Sequence, residues 1–146
     1  MKRLLVLLPL LCLAAGPGDS APPQSRFTYV DVMIDPKGQS LAAWQFEFTA
    51  AVGQISLVGV EAGENVAYAK RPPYYDPAAL AGDRIIVGDY SLDAGVPKTK
   101  TRVARLMLEI RGDAKPQYVT KLMAAANRDG KTIAVELSLL EFPEGP

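Results

Sequence analysis

Histidine is absent from the 146-residue chain. No Ser-His-Asp triad, Cys-His pair or His-ligated zinc site can be assembled within it. Cysteine occurs once, at Cys12, so a disulfide framework inside the chain is excluded. Neither charge sign is in excess, with 16 basic and 16 acidic residues. The basic footprint of a nucleic-acid binder is missing, and so is a polybasic membrane patch. The longest apolar run, Leu4 to Leu13, is too short to span a bilayer. Calcium would need several oxygen ligands at fixed spacing. Glu61, Glu64, Asp89, Asp93 and the turn acid Asp129 are scattered instead, so no metal and no cofactor is expected. Paired carboxylates or a perturbed lysine are left for catalysis, and no spacing points to them. A carboxylate hydrolase would draw on Glu47 or Glu109, and a domain of this size has little room for a substrate cleft. The chain is expected not to be an enzyme.

What is present begins with MKRLLVLLPLLCLAAG. Lys2 and Arg3 precede the apolar run, and Ala14, Ala15 and Gly16 follow it. This order predicts a secretory signal over residues 1–15 and a secreted or periplasmic protein. A lipoprotein signal wants a small residue before its cysteine, and Leu11 stands there, which argues against lipidation. Without Lys2 and Arg3 the balance is 14 basic against 16 acidic residues, a net charge of −2. The mature chain would hold no cysteine, so its stability would come from a packed core. GPGDSAPPQSR, 16–26, reads as a flexible leader. A single domain is expected over residues 27–142.

That domain alternates with period two. FTYVDVMID, 27–35, puts Val30, Val32 and Ile34 on one face, and DPKGQ, 35–39, supplies a turn. In LAAWQFEFTA, 41–50, Ala42, Trp44, Phe46, Phe48 and Ala50 share one face, and Gln45, Glu47 and Thr49 the other. Trp44, on the apolar side, reads as core and not as a sugar platform. QISLVGVEAG (54–63) and RIIVGDYSL (84–92) are further strands. TRVARLMLEIRG, 101–112, sends Ala104, Leu106, Leu108 and Ile110 inward and Arg105, Glu109 and Arg111 outward. IAVELSLLEF, 133–142, sends Ile133, Val135, Leu137 and Leu139 inward. PQYVTKLMAAAN, 116–127, has Val119, Leu122, Met123 and Ala126 at helical spacing, with alanine and leucine favouring a helix. It leads into the hairpin signal NRDGK, so a strand over 117–126 paired with 132–141 is expected. The sum is an all-β antiparallel sandwich with almost no helix.

The run FTYVDVMIDPKGQSLAAWQFEFTA resembles the first two strands of cohesin domains. In those, an initial strand, a Gly-containing turn and a strand of the type small, small, aromatic, polar, Phe, polar follow one another. ISLVGVEAGE resembles their next strand, and GDRIIVGDYSL and TRVARLMLEIRGD resemble later ones. The resemblance covers about residues 27–112, through core patterns that related carbohydrate-binding modules share. It implies a nine-stranded jelly roll and a non-enzymatic binding role, with a dockerin-like protein or a carbohydrate as partner. Family members place an aromatic-Asp-Pro turn directly after the second strand. Here AAVGQ, 50–54, stands there, and YYDPAAL comes later.

AKRPPYYDPAAL, 69–80, carries the candidate site. Asp76 is a good N-cap and Pro77 a good first helical residue, which predicts one short helical turn near 76–81. Read structurally, the turn closes one end of the sandwich. Read functionally, it is a binding loop presenting Arg71, Tyr74, Tyr75 and Asp76. The outer face with Arg102, Arg105, Glu109 and Arg111 is the second candidate surface. RGD, 111–113, is read as a strand end entering a turn and not as an adhesion motif. The alternative from another class is a structural or envelope protein with no discrete ligand.

Overall fold

The computed structural model describes residues 21, 23–113 and 115–142. The expected signal segment, and most of the leader, lie outside them. The period-two segments form eight strands: β1 (Ser25–Asp35), β2 (Ala43–Val52), β3 (Gln54–Glu61), β4 (Tyr74–Tyr75), β5 (Arg84–Tyr90), β6 (Thr101–Arg111), β7 (Gln117–Ala126) and β8 (Glu136–Glu141). A short 3₁₀ turn, Pro77–Ala79, is the one helical element among the described residues. The strands lie in two four-stranded sheets, in the orders β3-β6-β1-β8 and β4-β5-β2-β7, with every pairing antiparallel. The architecture is the expected jelly-roll sandwich. Its eight strands, β4 being only two residues long, compare with the nine that the resemblance implies.

The inward residues of both sheets meet in one core. Val30, Val32 and Ile34 of β1, Trp44, Phe46 and Phe48 of β2, and Leu106, Leu108 and Ile110 of β6 are all buried. Trp44 is 2% exposed, stacks on Phe46, and meets Tyr68 edge-on, as befits core packing. Each such side chain contributes on the order of 2 kcal/mol by leaving water.

Residues 117–126 are a strand, and the helical spacing within them is overridden. Burial follows period two from Tyr118 to Leu122, because β2 offers ten residues of open edge for pairing. After β7 the chain departs from the sequence expectation. Asn127 and Gly130, the latter at φ 75°, close the turn. Ile133 N–H then bonds to the Ala125 carbonyl and Thr132 bridges Ala126, but the hairpin goes no further. The chain crosses to the other sheet, where β8 pairs with β1 from Val30 to Asp35. The crossing puts Leu137 and Leu139 against the core from the opposite sheet.

The connector 76–82 closes one side of the sandwich. Asp76 caps the turn by accepting from Ala78 N–H at 2.9 Å, and Leu80 packs on the core. Ala81 N–H bonds to the Leu57 carbonyl, and Leu57 N–H bonds to the Gly82 carbonyl. The open edge of β3 is thereby occupied.

Candidate functional site

Alternation along β2 and β5 sends Gln45, Glu47 and Thr49, and Arg84, Ile86, Gly88 and Tyr90, to the outer face of the second sheet. Strand register sorts these side chains into rows. Tyr74 stands beside Gly88, then Gln45 and Ala124. Ile86, Glu47 and Lys121 form the next row, and Arg84, Thr49 and Val119 the one after. The last two rows are polar at the centre, where Arg84 pairs closely with Glu47. The Tyr74 row, and Tyr90 with Ala43 beyond it, are mostly apolar.

Small residues make the apolar end concave. A Cβ at Gly88 would meet the Trp44 carbonyl at 3.0 Å and Gln45 Cγ at 3.3 Å, so a side chain there would press on the β2 backbone. Tyr74 and Tyr90 rise from this floor, each 56% exposed, with parallel rings whose centroids are 6.2 Å apart. Together with Ala43, Gln45 and Ala124 they bound a shallow depression of about 350 Å³. Leu92, just beyond the end of β5, is also exposed.

Arg71 fixes one wall. Its guanidinium lies 4.3 Å from the Tyr74 ring centroid and bonds at 2.8 Å to the buried carboxylate of Asp89. Asp89 also accepts from Tyr90 N–H. One carboxylate thus ties the guanidinium beside Tyr74 to the backbone that carries Tyr90. The four loop candidates separate accordingly. Arg71 and Tyr74 belong to the outer face. Tyr75 turns inward and packs on the core, and Asp76 is engaged as the cap of its turn.

The second candidate surface lies on the outer face of the other sheet. Arg105 holds the buried Asp31 through two bonds, at 2.6 and 3.0 Å, and Arg102 approaches the same carboxylate at 3.7 Å. Bonding to Asp31 raises the Arg105 pKa above its ordinary value, and Tyr29 lies 4.0 Å from that guanidinium. Arg111 pairs with Glu109 at 3.0 Å, which holds Glu109 below the usual carboxylate range, helped by a bond from Ser25. These four charges are answered within their own sheet. Nothing local in the sequence singles out Ile86, Gly88 and Tyr90 as site residues. The alternation in RIIVGDYSL does place them on one face. That Tyr74 stands next to them depends on the β4–β5 register, which no local signal carries.

The arrangement offers aromatic and apolar contact. Among the described residues no group of three or more acidic, His or Cys side chains could hold a metal ion, and no helix is long and apolar enough to cross a membrane. No family model and no curated protein matches the chain. Among solved structures it is similar to a chain in the crystal structure of a Coh-OlpA cohesin–dockerin complex, type I, from Clostridium thermocellum. The TM-score is 0.57 at 16% identity, over 79% of this chain and 84% of the other. The fold is a cohesin fold. Within it, the connector after β3 carries the Asp-Pro turn, and β4 sets Tyr74 on the sheet face.

Proposed function

We propose that the chain is a secreted or periplasmic, non-enzymatic binding module that takes a protein partner on the outer face of the β4-β5-β2-β7 sheet. The observation that carries this reading is the paired Tyr74 and Tyr90 over the Gly88 floor, held in place by Arg71 and Asp89. Pre-ordered, half-exposed aromatic side chains beside a concavity are the usual anchors of protein recognition. A partner then meets a surface whose ordering cost is already met in the free protein. The structural neighbour of the same fold is found in a complex with a dockerin, which supports a dockerin-like partner here. Export is supported by Lys2, Arg3 and the apolar run after them. A carbohydrate is the second reading, favoured by the same exposed rings. It is weakened because Arg71 and Tyr90 already pack against the Tyr74 ring.

Side-by-side capture tests the proposal. The protein and its Tyr74→Ala/Tyr90→Ala variant are immobilised and offered extracellular proteins and, separately, a glycan panel. Both rings are half-exposed, so thermal unfolding of the variant is expected to change little. A partner protein is expected to bind the unsubstituted chain and to lose at least about tenfold in affinity on the variant. Equal retention by the two, or binding of glycans alone, would refute a protein site here. No partner of either kind would favour the structural reading.

A further inference from the structure

Three of the four sheet edges are guarded by recognisable means. The β3 edge is bonded to Ala81 and Gly82. The β4 edge is two residues long, between Pro73 and Pro77. The β8 edge is short and carries exposed Glu136 and Glu141 at its ends. Such devices block unwanted strand addition. The β7 edge differs. It is ten residues long with β2 as its one strand neighbour among the described residues, and Lys121 is its single charged residue. Val119 is 56% and Met123 47% exposed along it. Among the described residues, the side of the sandwich between β7 and β8 is also the less sealed one. Leu122, Leu137 and Leu139 remain only partly buried there, whereas the connector 76–82 covers the opposite side.

We infer that this edge is an interface with a second copy of the same chain, formed by antiparallel β7–β7 pairing about a two-fold axis at Thr120. Three features select that occupant and that register. The run Tyr118 to Leu122 faces β2 in unbroken register, Tyr118 with Ala50 and Leu122 with Phe46, and the irregularities fall outside it. Thr120 is its midpoint. Pairing about Thr120 sets Gln117 of one copy opposite Met123 of the other, so the added strand ends short of Ala125. At Ala125 the edge is already taken by Ile133 N–H. The usable edge and the paired length therefore coincide.

The same register is complementary in chemistry. Thr120 meets Thr120, and Tyr118 meets Leu122, pairs of the kind that stabilise antiparallel strands. Val119 meets Lys121, so no like charges are opposed, and each Lys121 keeps Glu47 beside it on its own β2. The partly buried Leu122 of each copy would be covered by Tyr118 of the other. An isologous contact of this kind closes at two copies and does not propagate. The β4-β5-β2-β7 sheets of the two copies would join into one, with a Tyr74/Tyr90 pair on each half. This inference does not rest on the proposed partner site.

Charge substitution at one outward position tests both the contact and its register. Sedimentation equilibrium of the purified chain across a wide concentration range is expected to show a mass rising from 15.7 kDa toward twice that value. Val119→Lys places like charges opposite each other on both sides of the axis and is expected to weaken the dimer by roughly tenfold. Val119→Glu places opposite charges there and is expected to strengthen it by a similar factor. Circular dichroism confirms that both variants fold, since Val119 is on the solvent face. A chain that stays monomeric at every concentration overturns the inference. So does a dimer that both substitutions weaken alike, or that neither changes.

Discussion

Tyr68 reaches the core from the loop between β3 and β4 and is 2% exposed. Its hydroxyl donates to the Leu41 carbonyl at 2.7 Å, and its ring meets Trp44 edge-on. Burial pushes its pKa well above the ordinary value of 10, and the nearby charge of Asp89 pushes the same way. A buried phenolate would have to give up water, so the fold favours the neutral ring. In the unfolded chain the group titrates near pH 10. The stability that Tyr68 contributes is therefore complete below about pH 10 and is lost as pH rises beyond it toward the folded value. Tyr68→Phe should cost about 1 kcal/mol at neutral pH by removing one buried hydrogen bond. It should also flatten the loss of stability above about pH 10. Urea unfolding at pH 7 and at several alkaline values checks both. An unchanged alkaline slope would mean that another tyrosine governs it.

At the scale of elements, the turn after β4 links the two sheets more than it offers a surface. Its Asp76 cap orders Pro77–Ala79, which sets Ala81 at φ 68° with its N–H on the Leu57 carbonyl. Asp76→Ala should cost about 1 kcal/mol, as loss of a cap does. It should speed hydrogen exchange at the Ala81 and Leu57 amides above that of β6. Protection at these two amides that stays level with the native chain would separate the cap from the edge. The cap itself was readable from Asp76-Pro77, because N-cap chemistry is local. So were the inner and outer faces of β2 and β6, where one apolar residue in two is decisive. Strand pairing was less readable. NRDGK announces a hairpin, and the structure grants it only the Thr132–Ala126 bridge before β8 leaves for β1. What moves β8 is a contest between two edges, β7 and β1, and that contest is settled by tertiary packing. The same reason hid the candidate site. Tyr74 and Tyr75 look equivalent in the sequence, and only the register against Gly88 and Val87 sends one ring out and the other in.

For the whole molecule, the crossing of β8 makes the two ends of the domain depend on each other. β1 lies between β6 and β8, so the first strand acquires its last neighbour only when the final strand arrives. Ile133, Leu137 and Leu139 enter the core with that segment, and Val135 packs beside them. Burying four aliphatic side chains, three of them partly, amounts to roughly 4–6 kcal/mol. A domain of this size has only about 5–15 kcal/mol of net stability. A chain ending at residue 130 loses that contribution and also strips the β8 side of β1. It is therefore expected to show no cooperative unfolding transition. The single tryptophan, Trp44, sits in the core and reports this directly. Its emission in the shortened chain should resemble that of the urea-unfolded protein, and heating should change it only gradually. A shortened chain that melts in one sharp transition near that of the full chain would place the folding unit in β1–β7 alone. The crossing to β1 would then be an addition to a sandwich already complete.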